Sequence, residues 1–349
     1  MTPDCDASVK MHSRAHASTS STTAHASRVG VATRATAARG KVAVITGANT
    51  GIGLETARGL YLDDSHRFSE IILACRDERK ARRAIDAIAG TSADDDAADR
   101  PRLTFQPLDL ASLSSCEDFG KRFLDDRGSD ASLDALICNA GVMACPSLIE
   151  TSDGFELQVG VNHLGHYAVV AGVWPALVGT AKNTGDGRVV VVSSEAHRIP
   201  GRAGLRRDDL FGREKYSAWG QYGQSKLANV LFAFELARRA KGTGVSACAL
   251  HPGAVDTELG RYLRPEGEPK RWQKALYEAI RTNFLKTPAQ GAETSLYLAR
   301  DVNDGAEMNG KYYADCEEKM PSKACFDRED ALWLWEHSAE LTGASFDSL

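Results

Sequence analysis

The chain is predicted to be an α/β protein: a Rossmann-type, doubly wound parallel sheet flanked by helices on both faces. Short apolar runs of strand length, such as Lys41–Thr46 and Val245–Leu250, alternate along the chain with longer segments of helical periodicity. This alternation is typical of βαβ units, whose right-handed crossovers make neighbouring strands parallel. A glycine-rich turn at 46–53 joins the first apolar run directly to a helical pattern, as Rossmann-type folds require.

The remaining elements follow in order along the chain. Strands are expected at 41–46, 70–75, 103–108, 133–138, 188–193, 245–250 and 311–314. Helices are expected at 51–62, 77–89, 112–126, 154–178, 219–240 and 327–341. An acidic, solvated loop is predicted at 91–100, and residues 252–288 interrupt the alternation and are expected to cover a substrate. No repeat or linker follows residue 40, so residues 40–349 are predicted to be a single domain.

The first 39 residues differ in composition from the rest. They are rich in Ser, Thr, Ala and His, and their basic residues outnumber the two acidic ones, Asp4 and Asp6. They lack the apolar core of a secretory signal, which indicates a disordered leader of the kind found in organelle transit peptides. Sparse arginine favours the chloroplast over the mitochondrion. The alternative is an ordinary disordered tail on a cytoplasmic protein.

Composition excludes several classes of partner. The formal net charge of −5 argues against a nucleic-acid-binding protein. The 8 cysteines are scattered without a C-x-x-C pair, which fits a reducing compartment. The most apolar stretch, 159–178, contains polar residues that are costly in lipid, so no transmembrane segment is predicted. Peripheral contact with a membrane is compatible with the sequence. Four histidines, at 163, 166, 197 and 251, lack ligand-set spacing, so no metal site is predicted.

The glycine-rich turn predicts a dinucleotide site. Gly47 permits the tight turn, Gly51 lets the backbone approach a pyrophosphate, and Gly53 allows close packing of helix on strand. Phosphate would then meet amide N–H groups at the start of the helix. The loop residues that would line this site are Asn49, Thr50 and Ile52. Arg76 stands after the second strand, where NAD sites usually carry an acid, and its guanidinium would pair with a 2′-phosphate. NADP(H) is therefore the predicted cofactor, although an Arg76 that is paired with Asp77 or simply solvated is the alternative.

Tyr222 and Lys226 are the residues predicted to take part in the chemical reaction. A free phenol has a pKa near ~10, too high for ready proton exchange at neutral pH. Lys226 lies four residues on, hence on the same helix face, where its charge would favour the phenolate. Tyr222 is then the candidate acid/base, and Ser194 or its neighbour Ser193 the donor to a developing alkoxide.

The order of these motifs resembles the short-chain dehydrogenase/reductase family from about Lys41 through Ala314. Several short motifs look like those of the retinol-dehydrogenase-like branch; they lie at 74–77, 162–166, 193–197, 225–229 and 251–253. That branch implies NADP(H) and a small hydrophobic aldehyde, ketone or alcohol as substrate. The stretch between Ser194 and Tyr222 is longer than the family's usual spacing, and the extra residues, 199–217, are expected to form a surface excursion.

The resemblance also implies individual roles. It selects Ser194 over Ser193 as the residue that faces substrate, and it makes Asn162 the holder of a water that relays protons to Lys226. It places Asp109 and Leu110 beside the adenine, and the small residues Asn139, Ala140 and Gly141 along the path of the cofactor. After the sixth strand, Pro252, Gly253, Val255 and Thr257 would line the nicotinamide.

Two alternatives remain open. Light-dependent protochlorophyllide reductase shares the implied fold, cofactor and Tyr/Lys pair, but carries cysteines where this chain has Ala228 and Ala254. A non-catalytic NADP(H)-binding regulator is the second alternative, and the complete Asn162, Ser194, Tyr222 and Lys226 set argues against it. The sequence leaves the oligomeric state open between monomer and homodimer.

Overall fold

The computed structural model describes residues 40–65, 67–91, 100–128, 131–256 and 285–346. The strands are β1 (Lys41–Thr46), β2 (Phe68–Cys75), β3 (Arg102–Pro107), β4 (Ala135–Cys138), β5 (Gly187–Val192), β6 (Val245–Leu250), β7 (Tyr312–Ala314) and β8 (Glu317–Glu318). They form one sheet in the order β3-β2-β1-β4-β5-β6-β7-β8. Strands β1 to β7 pair in parallel, and β8 is antiparallel to β7. The predicted doubly wound parallel sheet is confirmed, whereas the two-residue β8 was not predicted.

Eight helices are described between and after the strands. They are α1 (Gly51–Tyr61), α2 (Glu78–Ala89), α3 (Leu113–Asp125), α4 (Leu157–Thr184), α5 (Ala218–Arg239), α6 (Pro288–Leu296), α7 (Gly305–Met308) and α8 (Arg328–Thr342). Asp77 and Ser112, predicted as the first residues of their helices, are N-caps whose side chains accept from backbone N–H groups. Such caps satisfy amides that have no partner within the helix.

Alternating side chains along each central strand supply two separate cores. Val42 and Val44 of β1 point into the larger core, against α3, α4 and α5, whereas Ala43 and Ile45 point into the core beneath α1 and α2. A sheet buried on both faces needs apolar residues at successive positions, which is why these strands read as unbroken apolar runs. The period of two thus accounts for helices on both sides.

Helix α4 is the long apolar helix that the sequence predicted, with one irregularity. It contains a π-helical turn, Gly160–Leu164, which includes Asn162. By length and composition this helix could span a membrane, but 83% of its apolar window is buried inside the protein. Gly120 of α3 and Gly172 of α4 let the two helices touch, since a Cβ on Gly120 would lie 2.9 Å from the Gly172 backbone.

The segment 199–217 is only in part the predicted surface excursion: residues 201–203 and 213–215 are exposed, whereas other residues of the segment are packed. Leu205 and Leu210 are buried, and Phe211 stacks on Phe155. The Leu205 N–H donates to Asp330 at the start of α8. The segment fills the space between α5 and α8, so it contributes to the core, which length and turn residues alone did not reveal.

Three sequence predictions fall on residues outside the described ranges. They are the leader at 1–39, most of the acidic loop at 91–100, and most of the covering segment between 252 and 288. The described residues all belong to one compact unit, Arg39–Leu349.

Candidate active site

A cleft of 460 Å³ opens where β1, β2 and β4 end at the carboxyl edge of the sheet. The strand order reverses between β1 and β4, and this switch point is where open α/β sheets bind their ligands. Most of the predicted cofactor residues line it: Gly47, Asn49, Thr50, Gly51, Ile52, Arg76, Asp109, Leu110, Asn139, Ala140 and Gly141. The cleft also contains Lys80, a second basic residue four positions after Arg76.

The glycine-rich turn has the conformation that its residues predict. Gly47 and Gly51 have φ of 67° and 58°, in the left-handed region that favours glycine. A Cβ on Gly53 would lie 2.6 Å from the Gly47 carbonyl oxygen, so only glycine fits there. Thr50, the N-cap of α1, makes no side-chain capping bond, which leaves the first N–H groups of α1 free for an anion. These features fit the phosphates of a dinucleotide.

Arg76 is exposed at the rim of the cleft. It makes no ion pair or hydrogen bond with another residue in the part of the chain that the structure describes. Its neighbour Asp77 instead caps α2 by accepting from the Lys80 N–H. The alternative of an Arg76–Asp77 pair is therefore not what the structure has, and the Arg76 guanidinium is free to meet a ligand.

A buried hydrogen-bond network joins the cofactor turn to α4. Thr46 Oγ1 accepts from the N–H groups of Asn139 and Ala140 and lies 2.8 Å from His166 Nε2. His166 Nδ1 lies 3.0 Å from the Asn162 carbonyl oxygen, which can only accept. Nδ1 therefore carries the proton, and Nε2 accepts from Thr46. Burial lowers the pKa of His166 to about 4, which keeps the ring neutral.

Asn162 bridges two elements through its side-chain amide. Its Nδ2 donates to the Val142 carbonyl and to Ser225 Oγ, both at 2.9 Å, and its Oδ1 accepts from the Val142 N–H. The side chain is thus engaged by protein groups, with the π-helical turn holding it over the end of β4. Its predicted role as holder of a water stays a prediction.

Ser194, Tyr222 and Lys226 come together beside Gly141 of the cleft, where a Cβ on Gly141 would lie 3.7 Å from Lys226 Nζ. The Ser194 hydroxyl is near enough to the Tyr222 phenol to lower its pKa, and Lys226 Nζ lies 5.8 Å from the centre of the Tyr222 ring. Ser193 points the other way, because its Oγ donates to the Lys226 carbonyl at 2.7 Å. The structure therefore separates the two serines as strand alternation predicts, with Ser194 alone beside the phenol.

Burial shifts the pKa values of both Tyr222 and Lys226. It raises the pKa of Tyr222 to about 12, although the nearby Ser194 hydroxyl lowers it. It also lowers the pKa of Lys226 to about 8. Lys226 Nζ donates to the Val192 carbonyl at 3.0 Å. In the protein without cofactor, the phenol is therefore protonated at neutral pH, the form that can donate a proton.

Pro252, Gly253 and Val255 follow β6 as predicted. Gly253 has φ of 88°, and a Cβ there would meet the Lys286 side chain at 3.0 Å. Val255 forms an isolated parallel bridge with Lys286. Thr257 lies outside the described residues. Among those that are described, no group of three or more His, Cys, Asp or Glu side chains could hold a metal ion.

Comparison with known proteins agrees with this geometry. The family model described as short chain dehydrogenase matches residues 41–205. Retinol dehydrogenase 11 of Mus musculus is 40% identical over 322 residues, which are 91% of this chain and 91% of that protein. Retinol dehydrogenase 13 of Homo sapiens is 39% identical over 311 residues, 89% of this chain and 87% of that one. The chain belongs to the short-chain dehydrogenase/reductase family. Within the family it is similar to the retinol-dehydrogenase-like branch.

Solved structures of short-chain dehydrogenase/reductase type share the fold. A crystal structure of an uncharacterized protein from Mycobacterium paratuberculosis has a TM-score of 0.63 and 33% identity, covering 88% of this chain and 94% of that one. The NADPH-bound carbonyl reductase from chicken fatty liver has a TM-score of 0.56 and 21% identity, covering 81% of this chain and 99% of that one. The second similarity bears on the fold alone.

Two histidines near this short-chain dehydrogenase/reductase site have contacts that the sequence did not predict. His166 belongs to the network under the cofactor turn, and His197 contacts the backbone of Ser194. Both were expected to be structural. Their position a few residues after Asn162 and Ser194 was the available signal, but only the folded backbone shows which atoms the ring nitrogens meet.

Proposed function

We propose that this short-chain dehydrogenase/reductase is an NADP(H)-dependent oxidoreductase that interconverts a small hydrophobic aldehyde or ketone and its alcohol. The observation that supports this most strongly is the grouping of Ser194, the buried Tyr222 and Lys226 beside Gly141, which lines the glycine-rich cleft. Carbonyl reduction requires a proton donor and an oxyanion stabiliser at one atom, and these residues are the types that supply both.

Each residue has a defined part in this proposal. When bound, the nicotinamide supplies or accepts the hydride. In reduction, the Tyr222 hydroxyl gives its proton to the carbonyl oxygen, and the Ser194 hydroxyl donates a hydrogen bond to the same oxygen. Lys226 lies on the face of α5 that carries Tyr222, where its ammonium stabilises the phenolate that remains. In oxidation, the phenolate takes the proton back from the alcohol.

Apolar side chains at the site favour a hydrophobic substrate. Trp219 is 44% exposed and meets the Tyr222 ring edge-on, with the ring centroids 6.0 Å apart. Ile199 is also exposed and lies against Gly223, one residue after Tyr222. An exposed apolar surface next to the reacting hydroxyl suits a lipophilic aldehyde. The names of the retinol dehydrogenase relatives agree with such a substrate.

Activity in darkness is the first test of the proposed function. A Ser/Tyr/Lys site that protonates a polarised C=O needs no photon, so the purified protein is expected to reduce retinal or another lipophilic aldehyde with NADPH in the dark. The measurement is the loss of NADPH absorbance across a panel of aldehydes and ketones. A protein in which Tyr222 is replaced by phenylalanine serves as the control for non-enzymatic oxidation.

The alternative, light-dependent protochlorophyllide reductase, predicts activity that depends on light and no reduction of aldehydes in the dark. Reduction of a ring C=C develops no oxyanion for Ser194 to stabilise, and the positions where that enzyme carries cysteines are Ala228 and Ala254 here. We expect weak or no conversion of protochlorophyllide under illumination. Flash-dependent formation of chlorophyllide, together with no dark activity on the panel, would promote the alternative. NADPH binding without turnover of either kind of substrate would favour the non-catalytic regulator.

Arg76 is proposed to select NADP(H) over NAD(H). Replacing Arg76 with alanine is expected to narrow the preference for NADPH over NADH by roughly 1–3 kcal/mol, because a 2′-phosphate would lose a charged partner. Isothermal titration of both cofactors measures the ratio of dissociation constants. Arg82→Ala is the matched control, since Arg82 is exposed on α2 and pairs with Glu78. An unchanged ratio in Arg76→Ala, with a changed ratio in Lys80→Ala, would move the role to Lys80.

Residues 1–39 are proposed to be a cleavable organelle leader, with the chloroplast as the destination. Their composition cannot bury a core, so deletion is expected to leave the melting temperature and turnover unchanged and to abolish import into isolated chloroplasts. Thermal unfolding and an import assay measure the two effects. A large drop in melting temperature would mean that the segment packs on the domain, and import by mitochondria alone would correct the destination.

A further inference from the structure

His197 is completely buried immediately after Ser194. It belongs to a single 3₁₀ turn, Glu195–Arg198, that follows β5. Its Nδ1 lies 2.7 Å from the Ser194 carbonyl oxygen, and its Nε2 lies 3.0 Å from the backbone nitrogen of Ser322. The imidazole therefore spans from the candidate oxyanion donor to the segment that follows β8.

The two backbone partners fix the tautomer of His197. The Ser194 carbonyl can only accept a hydrogen bond, so Nδ1 must carry the proton. The Ser322 N–H can only donate, so Nε2 must be the unprotonated acceptor. A neutral ring satisfies both partners, and burial, which lowers the pKa of His197, favours this form. The Tyr312 hydroxyl, 3.3 Å from Nδ1, lies on the same side as Ser194.

The residues before Ser194 are held from the other side, by α5. The Val192 carbonyl accepts from Lys226 Nζ and from Asn229 Nδ2, and Ser193 Oγ donates to the Lys226 carbonyl. The Ser194 backbone is held instead by the turn that follows it. Its carbonyl is held by the backbone N–H and the Nδ1 of His197, and its Oγ accepts from the Ala196 N–H at 3.2 Å.

We propose that His197 is a positioning residue that orients Ser194 toward Tyr222 by anchoring the Ser194 carbonyl to the backbone at Ser322. This inference rests on the proposed function, in which the Ser194 hydroxyl stabilises the oxyanion. The Ala196 N–H occupies one lone pair of Ser194 Oγ, so the hydroxyl proton points away from the 3₁₀ turn. Rotation of the Ser194 peptide would turn that proton away from the reacting oxygen, and a misplacement of about 1 Å can lower a rate by 10²-fold.

Two isosteric substitutions separate the two bonds of His197. Asparagine places an amide nitrogen where Nδ1 lies and can keep the bond to the Ser194 carbonyl. Glutamine places an amide oxygen where Nε2 lies and can keep the bond to the Ser322 N–H. The anchor needs both bonds, so His197→Gln is expected to lower kcat by about 10- to 100-fold and His197→Asn by several-fold or more, each with an unchanged Kd for NADPH. Wild-type kcat in either folded variant would overturn the assignment.

The Ser194→Ala background tests whether His197 acts through Ser194. With the hydroxyl gone, adding His197→Gln is expected to lower kcat no further, because the two substitutions remove one effect. Multiplicative losses would show a merely structural role for His197. If Ser194→Ala alone leaves kcat unchanged, the proposed function has lost its oxyanion donor and the inference falls with it. If Ser194→Ala is slow and His197→Gln is not, only the inference fails.

A third variant keeps the shape of a ring in case His197→Gln does not fold. His197→Phe carries no nitrogen, so both the bond to the Ser194 carbonyl and the bond from the Ser322 N–H are lost. We expect an about 10- to 100-fold lower kcat and an unchanged Kd for NADPH. Wild-type kcat in a folded His197→Phe protein would show that His197 has no part in orienting Ser194.

Discussion

Replacing Tyr222 with phenylalanine is expected to lower kcat by about 10²–10⁴-fold, the usual contribution of general acid–base catalysis. The ring of Tyr222 is buried and packs against Trp219, and phenylalanine preserves this packing. The dissociation constant for NADPH is therefore expected to stay within a few-fold of the original. Stopped-flow turnover and cofactor titration on the same preparation measure the two quantities.

Tyr216→Phe is the matched control for this prediction. Its hydroxyl also lies close to α5, but it donates to the Cys145 carbonyl at 2.7 Å and not to the reacting group. Losing that bond is expected to destabilise the protein by about 1 kcal/mol and to leave kcat unchanged. Wild-type turnover in Tyr222→Phe would remove Tyr222 from the mechanism, and equal losses in both variants would point to general disruption of the site.

The sequence was sufficient for the fold and for most of the cleft because those features depend on local patterns. Strands buried on both faces must be continuously apolar, and the glycines of the turn at 46–53 are required by a backbone conformation and a close approach. Such constraints leave a signature in the order of residues. Gly47, Gly51 and Gly53 accordingly have the conformation or the close contact expected of them.

Features that depend on long-range packing were not predictable in the same way. The burial of Leu205 and Leu210 depends on where α8 lies, and residues 199–217 alone resemble a surface loop. The π-helical turn around Asn162 and the bond of His197 to Ser322 also join segments distant in sequence. The pKa of Tyr222 depends on burial, whose effect here outweighs that of the nearby Ser194 hydroxyl. Residue spacing carries no measure of that desolvation.

The buried charge of Lys226 is expected to lower the free energy of unfolding of the protein. Its side chain is buried with only 3% of its surface exposed, and burial lowers its pKa from 10.5 to about 8. A depressed lysine pKa means that the folded state disfavours the charged form relative to the unfolded state. Below pH 8 the lysine is protonated in both states, so the whole penalty is present. As pH rises from 8 to 10.5, the unfolded state binds more protons, and this contribution makes the protein more stable.

Lys226→Met is therefore expected to abolish most turnover and to stabilise the protein at pH 7. One pKa unit is worth about 1.36 kcal/mol, so relief of the penalty for a shift from 10.5 to about 8 amounts to roughly 3 kcal/mol. The substitution leaves no orphan acceptor, because the Val192 carbonyl also accepts from Asn229 Nδ2 at 3.2 Å. The loss of kcat is expected to be at least about 10²-fold, since the ammonium no longer stabilises the Tyr222 phenolate.

Urea unfolding at several pH values, with kcat measured on the same samples, tests both effects of Lys226→Met. The wild-type protein is expected to gain stability between pH 8 and 10.5 relative to the variant, so the difference between the two should shrink over that range. Lys241→Met is the control, because Lys241 is exposed just beyond α5 and its replacement should change neither quantity. A Lys226→Met protein that is less stable at pH 7 would mean that the bond to Val192 outweighs the cost of burying the charge. Retained turnover would separate Lys226 from Tyr222 in the chemistry.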